Sequence, residues 1–127
     1  MNQEKKTIQL FTDLESWKEG HVLVVAVYKI TDSFPQKEVF GLTNQMRRAA
    51  VFITSNIAEG FSRQTYKEKI QFYCIAQGSL TELQNQLLIS RDIGFLKKDG
   101  FERIAEQAVL VHKLLSGLIK KSKTYVS

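Results

Sequence analysis

The sequence predicts an all-α chain folded as an antiparallel up-and-down four-helix bundle. Three observations lead there. Apolar residues recur every three or four positions, the spacing of one helical face. Helix-start signals open three of the four segments, and proline or glycine closes two of them. No strand-plus-turn pattern of any length competes, and four helices of about 20 residues with short links make such a bundle.

The first helix is expected over about residues 13–33. Thr12-Asp13-Leu14-Glu15 is a capping box, with Thr12 as cap and Glu15 reaching back. Phe34-Pro35 ends the helix, because the residue before a proline avoids the helical region. The run from Val22 to Tyr28 is rich in β-branched residues and alone resembles a buried strand. The upstream cap and the segment length favour helix. This run leaves no polar stripe over nearly two turns, and a helix apolar all round is buried on more than one side. Each helix of a monomeric bundle keeps an outer face in water, so a homo-oligomer is expected. The alternative is a few singly exposed valines, which are ordinary.

The second helix spans about 43–61, with Leu42, Met46, Ala49, Ile53, Ile57 and Gly60 on one face. The third spans about 66–93. It opens at a second capping box, Thr65-Tyr66-Lys67-Glu68, and stops at Gly94, a left-handed C-cap. The fourth spans about 100–122, with Asp99 as cap and a basic end at Lys120, Lys121 and Lys123, where cations suit the helix dipole. A hairpin of the second and third helices centred near residues 63–64 sets Ala49 and Ala50 against Gly78 and Ser79. It also sets Arg47 near Glu82 and Glu59 near Lys69. Gly78 then permits close helix approach, which accounts for a mid-helix glycine that costs ~1 kcal/mol.

The chain has 127 residues, one domain's worth, 43% of them hydrophobic and 24% charged, as in globular proteins. A single cysteine, Cys74, excludes an internal disulfide framework and a cysteine-rich zinc module. No apolar run approaches the roughly 18 residues of a membrane span, so no membrane partner is expected. Residues 1–6 carry charge but lead into no apolar stretch of signal-peptide length, which makes the cytoplasm the default compartment.

The net charge of +5 is uneven. Residues 1–62 hold seven basic and seven acidic side chains, whereas residues 63–127 hold eleven and six. Such an excess suits nucleic acid or an acidic partner, or serves solubility. The phosphate-contact candidates are Arg63, Lys67 and Lys69 at one end, Lys97 and Lys98 by the opposite turn, and Lys120, Lys121 and Lys123. Aromatic interleaving is slight, with Tyr66 near the first cluster and Phe95 near the second. The pattern matches neither a helix-turn-helix nor an aromatic-faced single-strand binder, and fits backbone contact without base reading.

Catalytic constellations are wanting. The glycines are isolated, so no phosphate loop exists. His21 and His112 are surface or boundary residues on different helices, and Cys74 reads as a small buried hydrophobe. No Glu-x-x-His occurs, which argues against a di-metal bundle core. No cofactor, metal or enzymatic activity is expected. Asn56 and Glu59 stand out within the second helix, either as hydrogen-bonding groups that satisfy helix ends or arginines or as plainly exposed residues.

Several of these residues carry a family resemblance. Leu14-Glu15-x-Trp17, Val27-Tyr28-Lys29-x-Thr31, Phe34-Pro35, Phe40-Gly41-Leu42-Thr43-x-Gln45-Met46-Arg47-Arg48-Ala49-Ala50-Val51, Ser55-Asn56-Ile57-Ala58-Glu59-Gly60, Ile75-Ala76-x-Gly78-Ser79-Leu80-x-Glu82-Leu83 and Gly94-Phe95-Leu96 resemble the bacterial 23S rRNA intervening-sequence proteins, often labelled S23. The resemblance covers about residues 11–96. It implies an up-and-down bundle that assembles into a ring-shaped homopentamer. A related branch of the family looks like the accessory variability proteins of diversity-generating retroelements, basic pentamers that bind a reverse transcriptase and nucleic acid. The family commonly has Ser-Ile-Pro where this chain has Phe52, Ile53 and Thr54. Without the proline the second helix should be straighter, and Phe52 adds apolar surface. The functional expectation is a non-enzymatic oligomer that binds structured RNA or DNA through basic residues. The alternative is a protein-interaction adaptor without direct nucleic-acid binding.

Overall fold

The computed structural model describes residues 7–126, so the charged segment at residues 1–6 lies outside the described residues. Among the described residues there are four α-helices and no strand: α1 Glu15–Thr31, α2 Leu42–Ser62, α3 Tyr66–Asp92 and α4 Lys98–Lys123. Two 3-10 turns, Phe11–Asp13 and Gln36–Glu38, precede α1 and α2. The helices alternate up and down, and each packs on two neighbours: α1 and α3 each lie against both α2 and α4.

The core follows the three-and-four spacing. Leu23 and Val27 of α1, Met46, Ile53 and Ile57 of α2, Leu80, Leu83 and Leu87 of α3, and Val111 and Leu115 of α4 are completely or almost completely buried. Each such side chain contributes about 1.5–3 kcal/mol of transfer free energy. Two buried hydroxyls on these helices bond to their own helix, whereas that of Ser16 on α1 has no partner among the described residues. Thr31 Oγ1 donates to Val27 O at 2.7 Å, and Ser90 Oγ donates to Gln86 O at 2.8 Å.

The α3 boundaries match their sequence signals. Thr65 Oγ1 accepts from Glu68 N at 3.2 Å and lies 3.2 Å from Glu68 Oε1. At the other end Gly94 has φ +84°, and the N–H of Phe95 reaches back to Ser90 O at 2.9 Å. That geometry requires a left-handed residue, which glycine supplies without a Cβ penalty.

Two helix starts differ from expectation. Thr12 does not cap α1, because it sits inside the 3-10 turn Phe11–Asp13. Asp13 organises that turn instead, its Oδ2 accepting from Gln9 N and Leu10 N at 3.0 Å each. Extended Leu14 then leads into α1, which ends at Thr31, short of Ser33. In α4 the N-cap is extended Lys97, and Asp99 lies inside the first turn, where its charge complements the dipole.

The α2–α3 register also differs. Met46 Sδ lies 3.4 Å from Ser90 Oγ, and Gly60 abuts Phe72 and Tyr73, about one to two turns farther along α3 than expected. The extended residues Arg63 and Thr65 displace the centre of the hairpin beyond residues 63–64. Gly60 is therefore the close-approach glycine: a Cβ there would lie 2.8 Å from the Tyr73 ring. Gly78 is exposed and faces open space, so helix approach does not account for it.

The apolar run of α1 divides between two faces. Leu23 and Val27 enter the core, while Val22, Val25 and Tyr28 are 50%, 39% and 43% exposed. Cys74 is exposed on α3 rather than buried, because Tyr73 and Ala76 take the core-facing positions around it.

Candidate nucleic-acid interface

The topology gathers two sequence-distant basic groups at one end of the bundle. The α2–α3 turn and the start of α3 supply Arg63, Lys67 and Lys69; the last turn of α4 supplies Lys120, Lys121 and Lys123. The Tyr66 and Tyr125 rings stack at 4.8 Å between centroids, which ties the two segments together. Cations at the end of α4 suit its dipole. Lys67 and Lys69 oppose that of α3, at a cost of about 0.3–1 kcal/mol for an exposed charge. Helix stability thus accounts for half of the cluster and not for the rest.

The cations are held in different ways. The Arg63 guanidinium lies 3.2 Å from Glu59 Oε2 and 4.5 Å from the Phe72 ring centroid, so it is fixed against α2 and α3. Lys69 Nζ donates to Phe61 O at 2.5 Å and lies 5.3 Å from the Phe61 ring centroid. Burial pushes the Lys69 ammonium below its ordinary range. Lys67, Lys120, Lys121 and Lys123 are exposed. Among the described residues none of these five lysines forms an ion pair with a carboxylate. Glu59 is occupied by Arg63, and Glu68 by the Thr65 hydroxyl.

A cavity of about 250 Å³ opens at this end, with Phe61, Tyr66, Lys69, Tyr73, Lys121 and Tyr125 among its lining residues. Burial, and then the neighbouring Tyr66, push the Tyr73 phenol up to about 12. Its hydroxyl therefore stays protonated at neutral pH.

The opposite end is electrostatically balanced. Lys97 and Lys98 are exposed there, with Lys98 Nζ 3.9 Å from Glu102 Oε1. Arg91 pairs with Asp92 at 2.8 Å and lies over the Phe101 ring at 4.8 Å. The hydrogen bond from Arg91 holds the Asp92 carboxyl below its usual range. Phe95 is half-buried against Phe34 at 5.4 Å, so it is packed inward rather than offered for stacking. The length of α3, about 40 Å at ~1.5 Å per residue, separates this end from the other.

The remaining singled-out residues are structural in their contacts. Arg47 does not meet Glu82. Its Nε donates to Thr31 Oγ1 at 2.9 Å, its Nη2 pairs with Asp32 at 3.1 Å, and its guanidinium lies 4.7 Å from the Tyr28 ring centroid. These bonds pin the C-terminus of α1 to α2. Arg48 lies over the half-exposed Phe52 at 5.7 Å. Asn56 Nδ2 donates to Phe52 O of its own helix at 2.8 Å, and Glu82 accepts from Gln86 at 3.3 Å. Glu59 pairs with Arg63 rather than Lys69.

Sequence reasoning missed Tyr125. It lies beyond the periodic part of the fourth helix, and only the up-and-down order returns it to Tyr66. His21 stacks on Trp17 at 4.9 Å, and no group of three His, Cys, Asp or Glu residues that could hold a metal occurs among the described residues. No described helix is long and apolar enough to cross a membrane.

Comparison with known proteins adds two findings. The family model described as 23S rRNA-intervening sequence protein matches residues 12–117. The fold is similar to the crystal structure, at 1.70 Å resolution, of a protein with unknown function from the S23 ribosomal protein family of Bacteroides thetaiotaomicron VPI-5482. That likeness has a TM-score of 0.74 and 21% identity, and covers 83% of this chain and 98% of the other. No curated protein matches the sequence.

Proposed function

The chain belongs to the 23S rRNA-intervening sequence protein family, and from that premise we propose that it is a non-enzymatic, oligomeric bundle that binds structured RNA or DNA through phosphate contacts with little base reading. The observation that carries this reading is the basic end, where Arg63, Lys67, Lys69, Lys120, Lys121 and Lys123 converge from two segments. Five of the six have no carboxylate partner among the described residues. Lysines bind phosphate as mobile point charges, and such contacts position nucleic acid without distinguishing bases.

Self-association, as a homopentamer in keeping with the family likeness, repeats that end in each copy and multiplies a weak contact by avidity. The outer face of α1 at Val22, Val25 and Tyr28 and that of α4 at Val109 and Leu110 are the apolar surfaces such an assembly would cover. The same surfaces support the adaptor reading, in which a partner protein occupies them and the basic end serves solubility.

The two are separated by substitution. K120Q/K121Q/K123Q is expected to weaken binding to an RNA hairpin equally across sequences and to reduce the salt slope by about one per lost phosphate contact. K97Q/K98Q at the balanced end is expected to change little. Equal affinities for all three proteins would refute binding through the basic end.

A further inference from the structure

The cavity at the basic end differs from the lysines around it, because aromatic rings and a desolvated ammonium meet there. Lys69 Nζ is drawn in against Phe61, it donates to that residue's backbone carbonyl, and burial disfavours its charge without an offsetting carboxylate among the described residues. An ammonium in that setting favours an incoming anion more than a fully hydrated one does. Lys121 lines the same cavity from α4. Across the opening, Tyr66 and Tyr125 stack on each other and remain 39% and 55% exposed. The four side chains come from the start of α3 and from the end of α4 with the turn just after it, so the pairing exists only in the folded bundle.

We propose that this cavity is a site for one unpaired nucleotide at the end of a nucleic-acid strand, with its phosphate held between Lys69 and Lys121 and its base stacked on the Tyr66–Tyr125 pair. The inference rests on the nucleic-acid reading above and deepens it from general phosphate contact to recognition of a strand end. Size limits the occupant. At about 250 Å³ the cavity lies just below the roughly 300–1,000 Å³ of sites for drug-sized ligands, which suits one nucleotide fragment and not a duplex surface. Charge selects an anion, since Glu59 and Glu68 at this end are engaged by Arg63 and Thr65. Tyr73, whose burial keeps its phenol protonated, is among the lining residues. The tyrosines select a ring system without selecting which one, because every base has a π-face.

The test uses the whole protein and two fluorescein-labelled RNA hairpins of the same stem, one blunt and one with a short single-stranded 3′ tail. The tailed hairpin is expected to bind about tenfold more tightly, a ratio in line with the stacking of one base. Y125A is expected to abolish that preference while blunt-hairpin affinity holds within about twofold, and K121Q to weaken the tailed hairpin more than the blunt one. Both residues are exposed, so helix content by circular dichroism serves as a folding control. A 5′-tailed hairpin tells which strand end is taken. Equal binding of tailed and blunt hairpins would overturn the end site while leaving phosphate binding intact, as would a preference that survives both Y125A and K121Q. No salt-sensitive binding of any hairpin would remove the nucleic-acid reading itself.

Discussion

Gly60 and Gly78 occupy opposite situations although both lie inside helices. A Cβ at Gly60 would meet Tyr73 and Phe72 at 2.8–2.9 Å, so Gly60→Ala is expected to destabilise the bundle by about 1–3 kcal/mol through overpacking. A Cβ at Gly78 meets nothing within 4 Å, so Gly78→Ala is expected to stabilise it by about 0.5–1 kcal/mol. Urea denaturation of both variants checks the contrast, and equal effects would contradict the observed α2–α3 register. Tyr73 adds a pH dependence. Its folded pKa, about 12, is raised above the ordinary value near 10, so the unfolded chain releases this proton first as pH rises. The associated stability is present below pH 10 and lost as pH climbs through 12. A pH series of thermal melts is expected to show that alkaline loss in the wild type and less of it in Tyr73→Phe. The hairpin register set Arg47 near Glu82, but its partners are Thr31 and Asp32 at the end of α1. The i-to-j pairing depends on register, and extended residues between helices shift register without leaving a periodic signal.

The helices themselves were legible, because apolar spacing, Gly94 and Thr65 all point to the same boundaries. The two mistaken starts have a common cause. A threonine or aspartate before an apolar run marks a turn, but which residue caps depends on backbone angles that composition does not encode. Thr65→Ala is therefore expected to cost about 1 kcal/mol, measured by chemical denaturation. Thr12→Ala is expected to cost less, since Thr12 lies within a 3-10 turn whose side-chain bonds to Gln9 N and Leu10 N come from Asp13. Equal losses at the two threonines would restore Thr12 as a cap. The basic site was half legible. Sequence shows clusters at 63–69 and 120–123, and only the alternating helix directions bring them to one end, with Tyr125 beside Tyr66. The lysines at 97 and 98 looked equivalent in sequence. They differ because Asp92, Asp99 and Glu102 share their end of the molecule.

At the scale of the molecule, one chain leaves Val22, Val25 and Tyr28 of α1 in water beside a well-filled core. Covering that face with another copy removes it from solvent, and light scattering is expected to give a multiple of the 14.6 kDa chain mass at micromolar concentration. Val25→Glu is expected to lower that multiple without loss of helix content, because position 25 faces away from the core. Monomeric wild-type protein would contradict the assembly. In the proposed assembly, several basic ends on one particle would bind nucleic acid more tightly than each alone. The most direct measurement is fluorescence anisotropy of a labelled rRNA-like hairpin titrated with the protein at about 50 and 200 mM salt. Phosphate binding by the basic end predicts micromolar or tighter affinity at the lower salt, falling by orders of magnitude at the higher. No binding at the lower salt, or binding indifferent to salt, would contradict it.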